Sequence, residues 1–141
     1  MVPQMAARMA TVGVDYSMGG NTGNSIDSHR LLTWCHEKHG VAKQNELVEE
    51  LFLDYFSRER FLGDAEVLRA AAQRVGLGDE AEEVLGEGKD DAFLGETLQQ
   101  YTDYTRRLRI TGAPTFIIDN AIMVQGAQPT EELLSIFQEL D

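Results

Sequence analysis

Ile110–Gln128 reads I-T-G-A-P-T-F-I-I-D-N-A-I-M-V-Q-G-A-Q, and this stretch decides the fold. Two short apolar arms, Thr115–Ile118 and Ala121–Val124, flank Asp119-Asn120. β-Branched residues favour a pleated, half-buried strand, and Asp and Asn tolerate positive φ, so the segment predicts a β-hairpin. Gly112-Ala113-Pro114 leads into the first arm. A proline at a strand entrance has no N–H to give and leaves the neighbouring backbone free to pair with something else. In a cis Ala113–Pro114 bond the backbone of Ala113 is turned outward as a docking edge for an extended peptide. Taken alone, the tripeptide favours an ordinary trans proline in a loop before an edge strand, since only ~5% of X–Pro bonds are cis.

Gly126-Ala127-Gln128 closes the hairpin, and Pro129-Thr130-Glu131-Glu132 then opens a helix expected to run to Leu140. Proline and a hydroxyl, with acidic residues in the first turn, form a helix start signal. Upstream the chain reads as mostly helical. A helix tail over Gln4–Ala10 stops near Gly13, and Val14–Ser17 is a short candidate strand before a Gly/Asn/Thr loop at 18–23. Helices are expected over about 25–39, with Asn24 or Ser25 as cap and Gly40 as stop, and over about 43–58. In the latter, Leu47, Val48, Leu51, Phe52, Tyr55 and Phe56 form one face, and Glu46, Glu49, Glu50 and Asp54 lie toward the other. Asp64 caps a third helix that ends at Gly76. A brief fourth covers 79–85, and a fifth runs over about 90–108, with an acidic start and a basic end that suit the helix dipole.

Composition limits what the chain can do. At 141 residues it is one domain in size, enough to bury roughly two-thirds of its unfolded surface. Asp and Glu total 24 against 12 Lys and Arg, a formal charge of −12. Phosphate backbones and anionic membranes are repelled by such a surface, so no nucleic-acid or membrane partner is expected. No apolar run approaches the ~20 residues of a membrane-spanning helix. Met1-Val2-Pro3-Gln4-Met5 has neither the charged nor the apolar region of a secretory signal. The single cysteine cannot form an internal disulfide, which fits a reducing compartment, and a cytoplasmic location is expected.

The G-A-P, strand–turn–strand, G-A-Q and closing helix resemble the back half of a thioredoxin fold, and more closely the DsbA-like family of thiol–disulfide oxidoreductases. The branch is the FrnE-like one, which also resembles 2-hydroxychromene-2-carboxylate isomerase. Gly23-Asn24-Ser25-Ile26-Asp27-Ser28-His29-Arg30-Leu31 is similar to that branch's N-T-x-x-A-H-R-L signature, with Ser at 25 and at 28. Phe52-Leu53-Asp54-Tyr55-Phe56 resembles its F-x-x-Y-F run, and Leu62-Gly63-Asp64 with Val67-Leu68 resembles its D-I-x-D-x-x-x-L segment. The resemblance implies an α-rich α/β fold, a truncated thioredoxin-like domain over 1–141. Residues 24–109 form its helical insert and 110–141 its closing ββα unit.

By the same resemblance the chemistry belongs at the start of the first helix, in a C-x-x-C or, in isomerase-like members, a serine. There the helix N-terminus lowers the thiol pKa. No such motif occurs in this chain, so no catalytic residue is carried over. The expectation is a fragment of a thiol–disulfide oxidoreductase acting on protein thiols or disulfides, itself inactive. The alternatives are a non-catalytic binding module and a member that uses glutathione as an isomerase does. Ala113, Pro114 and His29 are the substrate-binding candidates, the last because it sits in the family-like signature and can switch charge. Cys35 lies mid-helix and reads as a packed structural thiol. With His39 it would supply half a zinc site, but the other ligands are missing, so no metal is expected. With the family's first strand absent, Phe116, Ile117 and Ile118 are expected to present an unpaired apolar edge, through which the chain is marginally stable or forms a homodimer.

Overall fold

The computed structural model describes residues 2–86 and 92–140. It has the helix-rich α/β architecture expected from the sequence, with α1 (Val2–Ala10), α2 (Ile26–Phe56), α3 (Ala65–Arg74), α4 (Glu82–Leu85) and α5 (Ala92–Thr102). A π-helical turn (Asp103–Arg107) follows, then β1 (Thr115–Ile118), β2 (Ile122–Gln125) and α6 (Thr130–Gln138). The chain divides into two compact units, 1–98 and 99–141.

The first unit owes its shape to α2. Gly40 breaks the helix with φ 80° and ψ 176°, a conformation that a Cβ disfavours, so α2 is two helices meeting at the stop read from the sequence. The Asn24 side chain accepts the Ile26 N–H at 3.0 Å, whereas Ser25 makes no side-chain cap. Before the break, Leu31, Trp34 and Cys35 are buried at helical spacing, and after it Leu47 and Leu51. They pack with Leu68, Ala71 and Ala72 of α3, Leu77 and Ala81 of the connection, and Val84 and Leu85 of α4. Each fully buried leucine stabilises the unit by about 1.5–3 kcal/mol. Asp64 caps α3 by accepting the Glu66 N–H at 2.9 Å, and Gly76 ends it at φ 82°.

Several local expectations are corrected. Among the described residues, Val14–Ser17 pairs with no strand. Instead the Ser17 N–H donates to the Phe56 carbonyl at 2.7 Å and Tyr16 stacks on Phe56, so the segment is held by the end of α2. Phe52, placed on the inner face by periodicity, is 57% exposed, and Asp54, placed outside, is buried. The reason is geometric: Leu47, Leu51 and Asp54 follow the i, i+4, i+7 stripe, and Phe52 lies one residue off it. The expected start of the fifth helix at Asp90 lies outside the described residues.

In the second unit β1 and β2 pair antiparallel in the register Thr115↔Gln125, Phe116↔Val124, Ile117↔Met123 and Ile118↔Ile122. Asp119 and Asn120 take φ of 52° and 54°, as a hairpin turn of this hand requires. The second arm begins at Ile122, one residue later than expected, because Ala121 stays in the turn and donates its N–H to Ile118 at 3.1 Å. No described side chain of this unit is buried.

Candidate functional site

Three of the segments that carry the resemblance contribute residues to one largely apolar cavity of about 260 Å³ in the first unit. The first is Ser25, Ser28 and His29 at the start of α2, and the second is Phe52, Tyr55 and Phe56 at its end. The third is Leu62-Gly63, which with Phe61 belongs to the connection to α3. Glycines allow the close fit at this wall. A Cβ on Gly63 would lie 2.4 Å from the Phe61 ring and 2.5 Å from the Asn24 carbonyl oxygen. The aromatic side is a connected cluster: Tyr55 and Phe52 both meet Phe56 edge-on, with centroids at 4.9 and 5.9 Å.

His29 is exposed at this cavity, while its neighbour in the signature does something different. Arg30 is 1% exposed, donates to the Val84 carbonyl at 2.5 Å and pairs with Asp27 at 2.9 Å. It therefore ties α2 to α4, a positioning role that the sequence reading did not assign. Cys35 is fully buried, and that burial pushes its thiol pKa up, away from nucleophilic character. His36 is exposed. The His39 Nε2 lies 3.4 Å from the Glu80 carboxylate without hydrogen-bond alignment, and its ring meets Trp34 edge-on. Among the described residues no three His, Cys, Asp or Glu side chains converge as metal ligands.

Two charged clusters were not anticipated. Asp54 is buried and receives Arg58 at 2.9 Å and also Arg74, and Glu50 receives the same two guanidinium groups at 2.8 and 2.5 Å. The hydrogen bonds from Arg58 and then Arg74 hold the Glu50 carboxyl below its ordinary range. Trp34 donates its indole N–H to Glu83 at 2.9 Å, with Lys38 at 3.2 Å, and both hold that carboxyl low as well. The signal for the first cluster was available: Asp54 stands on the Leu47–Leu51 stripe, with Arg58 one turn on.

Ala113 and Pro114 belong to the second unit. Their peptide bond is cis and both residues are exposed. The Gly126 N–H donates to the Pro114 carbonyl at 2.8 Å, which with the register makes Phe116↔Val124 a hydrogen-bonded pair. Antiparallel ladders alternate, so the N–H and C=O of Thr115 and Ile117 point away from β2. Among the described residues nothing else pairs with β1. Phe116 and Ile117 are each 40% exposed beside this edge. The geometry can accept an added strand through the Thr115 and Ile117 backbone.

A family model described as DSBA-like thioredoxin domain matches residues 1–138. No curated protein matches the chain. Among the described residues no helix is long and apolar enough to cross a membrane.

Proposed function

This chain belongs to the DSBA-like thioredoxin domain family, and from that premise we propose that it is the substrate-docking part of a thiol–disulfide oxidoreductase of the FrnE-like branch. The carrying observation is the free edge of β1 directly after the exposed Gly112-Ala113-Pro114 turn. An extended segment of a protein substrate adds there as a strand, through the Thr115 and Ile117 backbone. Thiol–disulfide exchange needs a thiolate and a resolving thiol, and the only cysteine here is buried with a raised pKa. The redox pair is therefore supplied by residues outside these 141. The same buried, unpaired thiol suits a reducing location such as the cytoplasm.

The test is insulin reduction by dithiothreitol. The 141-residue chain gives no acceleration, and the natural gene product bearing a C-x-x-C segment ahead of it does. Acceleration by the chain alone that disappears in Cys35→Ser overturns the assignment. A natural product that consists of these residues alone and binds peptides without turnover makes the protein a binding module, a reading that the single buried cysteine also favours.

A further inference from the structure

We propose that residues 15–23 form a strap that opens from the end of α2 as a unit, with Glu59 as its latch and Gly13 as its hinge. The inference rests on the first unit alone and needs no peptide at β1, so it goes beyond the docking of a protein substrate. Little holds the strap in place. Among the described residues, Ser17 supplies the one N–H of the strap that donates to a backbone carbonyl, that of Phe56. Tyr16 stacks on the Phe56 ring with centroids 5.9 Å apart, and the Tyr55 hydroxyl reaches Thr22 Oγ1 at 3.5 Å. All these ties end on Tyr55 and Phe56, on one side of the strap. A segment with so few backbone hydrogen bonds opens locally while the rest of the fold stays intact.

Glu59 carries the latch. It holds φ 56°, a left-handed conformation that a Cβ disfavours and that glycine adopts without strain. A larger residue kept at such an angle points to a task for its side chain. Here the carboxylate accepts the Ser17 hydroxyl, a charge-assisted bond across 42 residues of sequence. Gly19 and Gly20 complete the fit. A Cβ on Gly20 would lie 2.5 Å from the Glu59 carbonyl oxygen, and one on Gly19 would strike the Glu59 carboxylate. Before the strap, Gly13 has φ 78° and open space where a Cβ would stand, so it can absorb the rotation of an opening. At the strap's far end, Thr22 and Gly23 line the cavity between the ends of α2. Opening therefore takes away one wall of that cavity.

Hydrogen exchange at the residue-17 amide reads the latch, and relaxation of methyl groups by a neutral gadolinium chelate reads the wall. In the parent chain the Ser17 amide should be protected. Glu59→Gly removes the carboxylate and keeps the backbone of position 59, and Ser17→Ala removes the hydroxyl from the other side. Each should speed exchange at position 17 by about threefold to tenfold, the loss of one hydrogen bond. In both variants the chelate should relax the Val48 methyls, on the cavity wall, faster than in the parent. The Leu68 methyls, fully buried in the core, should relax no faster. An unprotected Ser17 amide in the parent overturns the proposal, as does unchanged exchange in the two variants, which would leave Glu59 a turn residue alone. Val48 methyls that stay as in the parent overturn it too, because the wall is then still in place. So do Leu68 methyls that change along with Val48, because the whole unit then loosens rather than the strap.

Discussion

Replacing Asp54 with alanine measures the buried charge cluster. The Asp54 side chain is 3% exposed and accepts from both Arg58 and Arg74. Losing one partner of a fully buried pair costs about 3–5 kcal/mol, because the surviving charge is left unpaired. Here the survivors are less confined: Arg58 and Arg74 are 40% and 37% exposed and keep Glu50. They rehydrate in part, which lowers the expected loss to about 2–4 kcal/mol. With a urea slope of about 2 kcal/mol/M, the midpoint falls by about 1–2 M. Urea titration followed by the fluorescence of Trp34, the only tryptophan and 1% exposed, reads this directly. Glu50→Gln, on the more exposed side of the cluster, should cost about 1 kcal/mol or less. In a double-mutant cycle, Arg74→Met should cost less in the Asp54→Ala background than in the parent. An Asp54→Ala chain within about 0.5 kcal/mol of the parent, or strict additivity with Arg74→Met, refutes the reasoning.

Other outcomes follow from the same contacts. Glu50 and Glu83 have folded pKa values below the ordinary 4.5. The stability they add is thus present above pH 4.5 and lost as pH falls through the folded values, so the urea midpoint should drop in acid, and less steeply for Glu50→Gln. Cys35 should react slowly with a thiol reagent in the native chain and fast in urea, and equal rates would show that its burial has been misjudged. Gly63→Ala forces a Cβ against the Phe61 ring and the Asn24 carbonyl, and thermal unfolding should show a loss of about 1–3 kcal/mol.

Residues with local rules were legible in the sequence. Asp119-Asn120 must reverse the chain, Gly40 must break a helix, and Asp64 must cap one. Long-range partners were not. The stripe marks Asp54 as inward and Arg58 is one turn on, but its second partner, Arg74, lies 20 residues away and leaves no local signal. Arg30 looked like a signature letter, and only its reach to the Val84 carbonyl, 54 residues on, reveals the anchor. The cavity was hidden for the same reason. Three separate segments resembled family motifs, but their convergence is set by the packing of α2 against the connection to α3.

The docking edge is tested most directly by amide hydrogen exchange along β1 with and without an extended cysteine-containing peptide. In the chain alone the Thr115 and Ile117 amides, which face away from β2, should exchange faster than Phe116, whose partner is Val124. Saturating peptide should then slow Thr115 and Ile117 and leave Phe116 little changed. Thr115 and Ile117 already protected in the free chain, or unaltered at peptide saturation, would contradict the account.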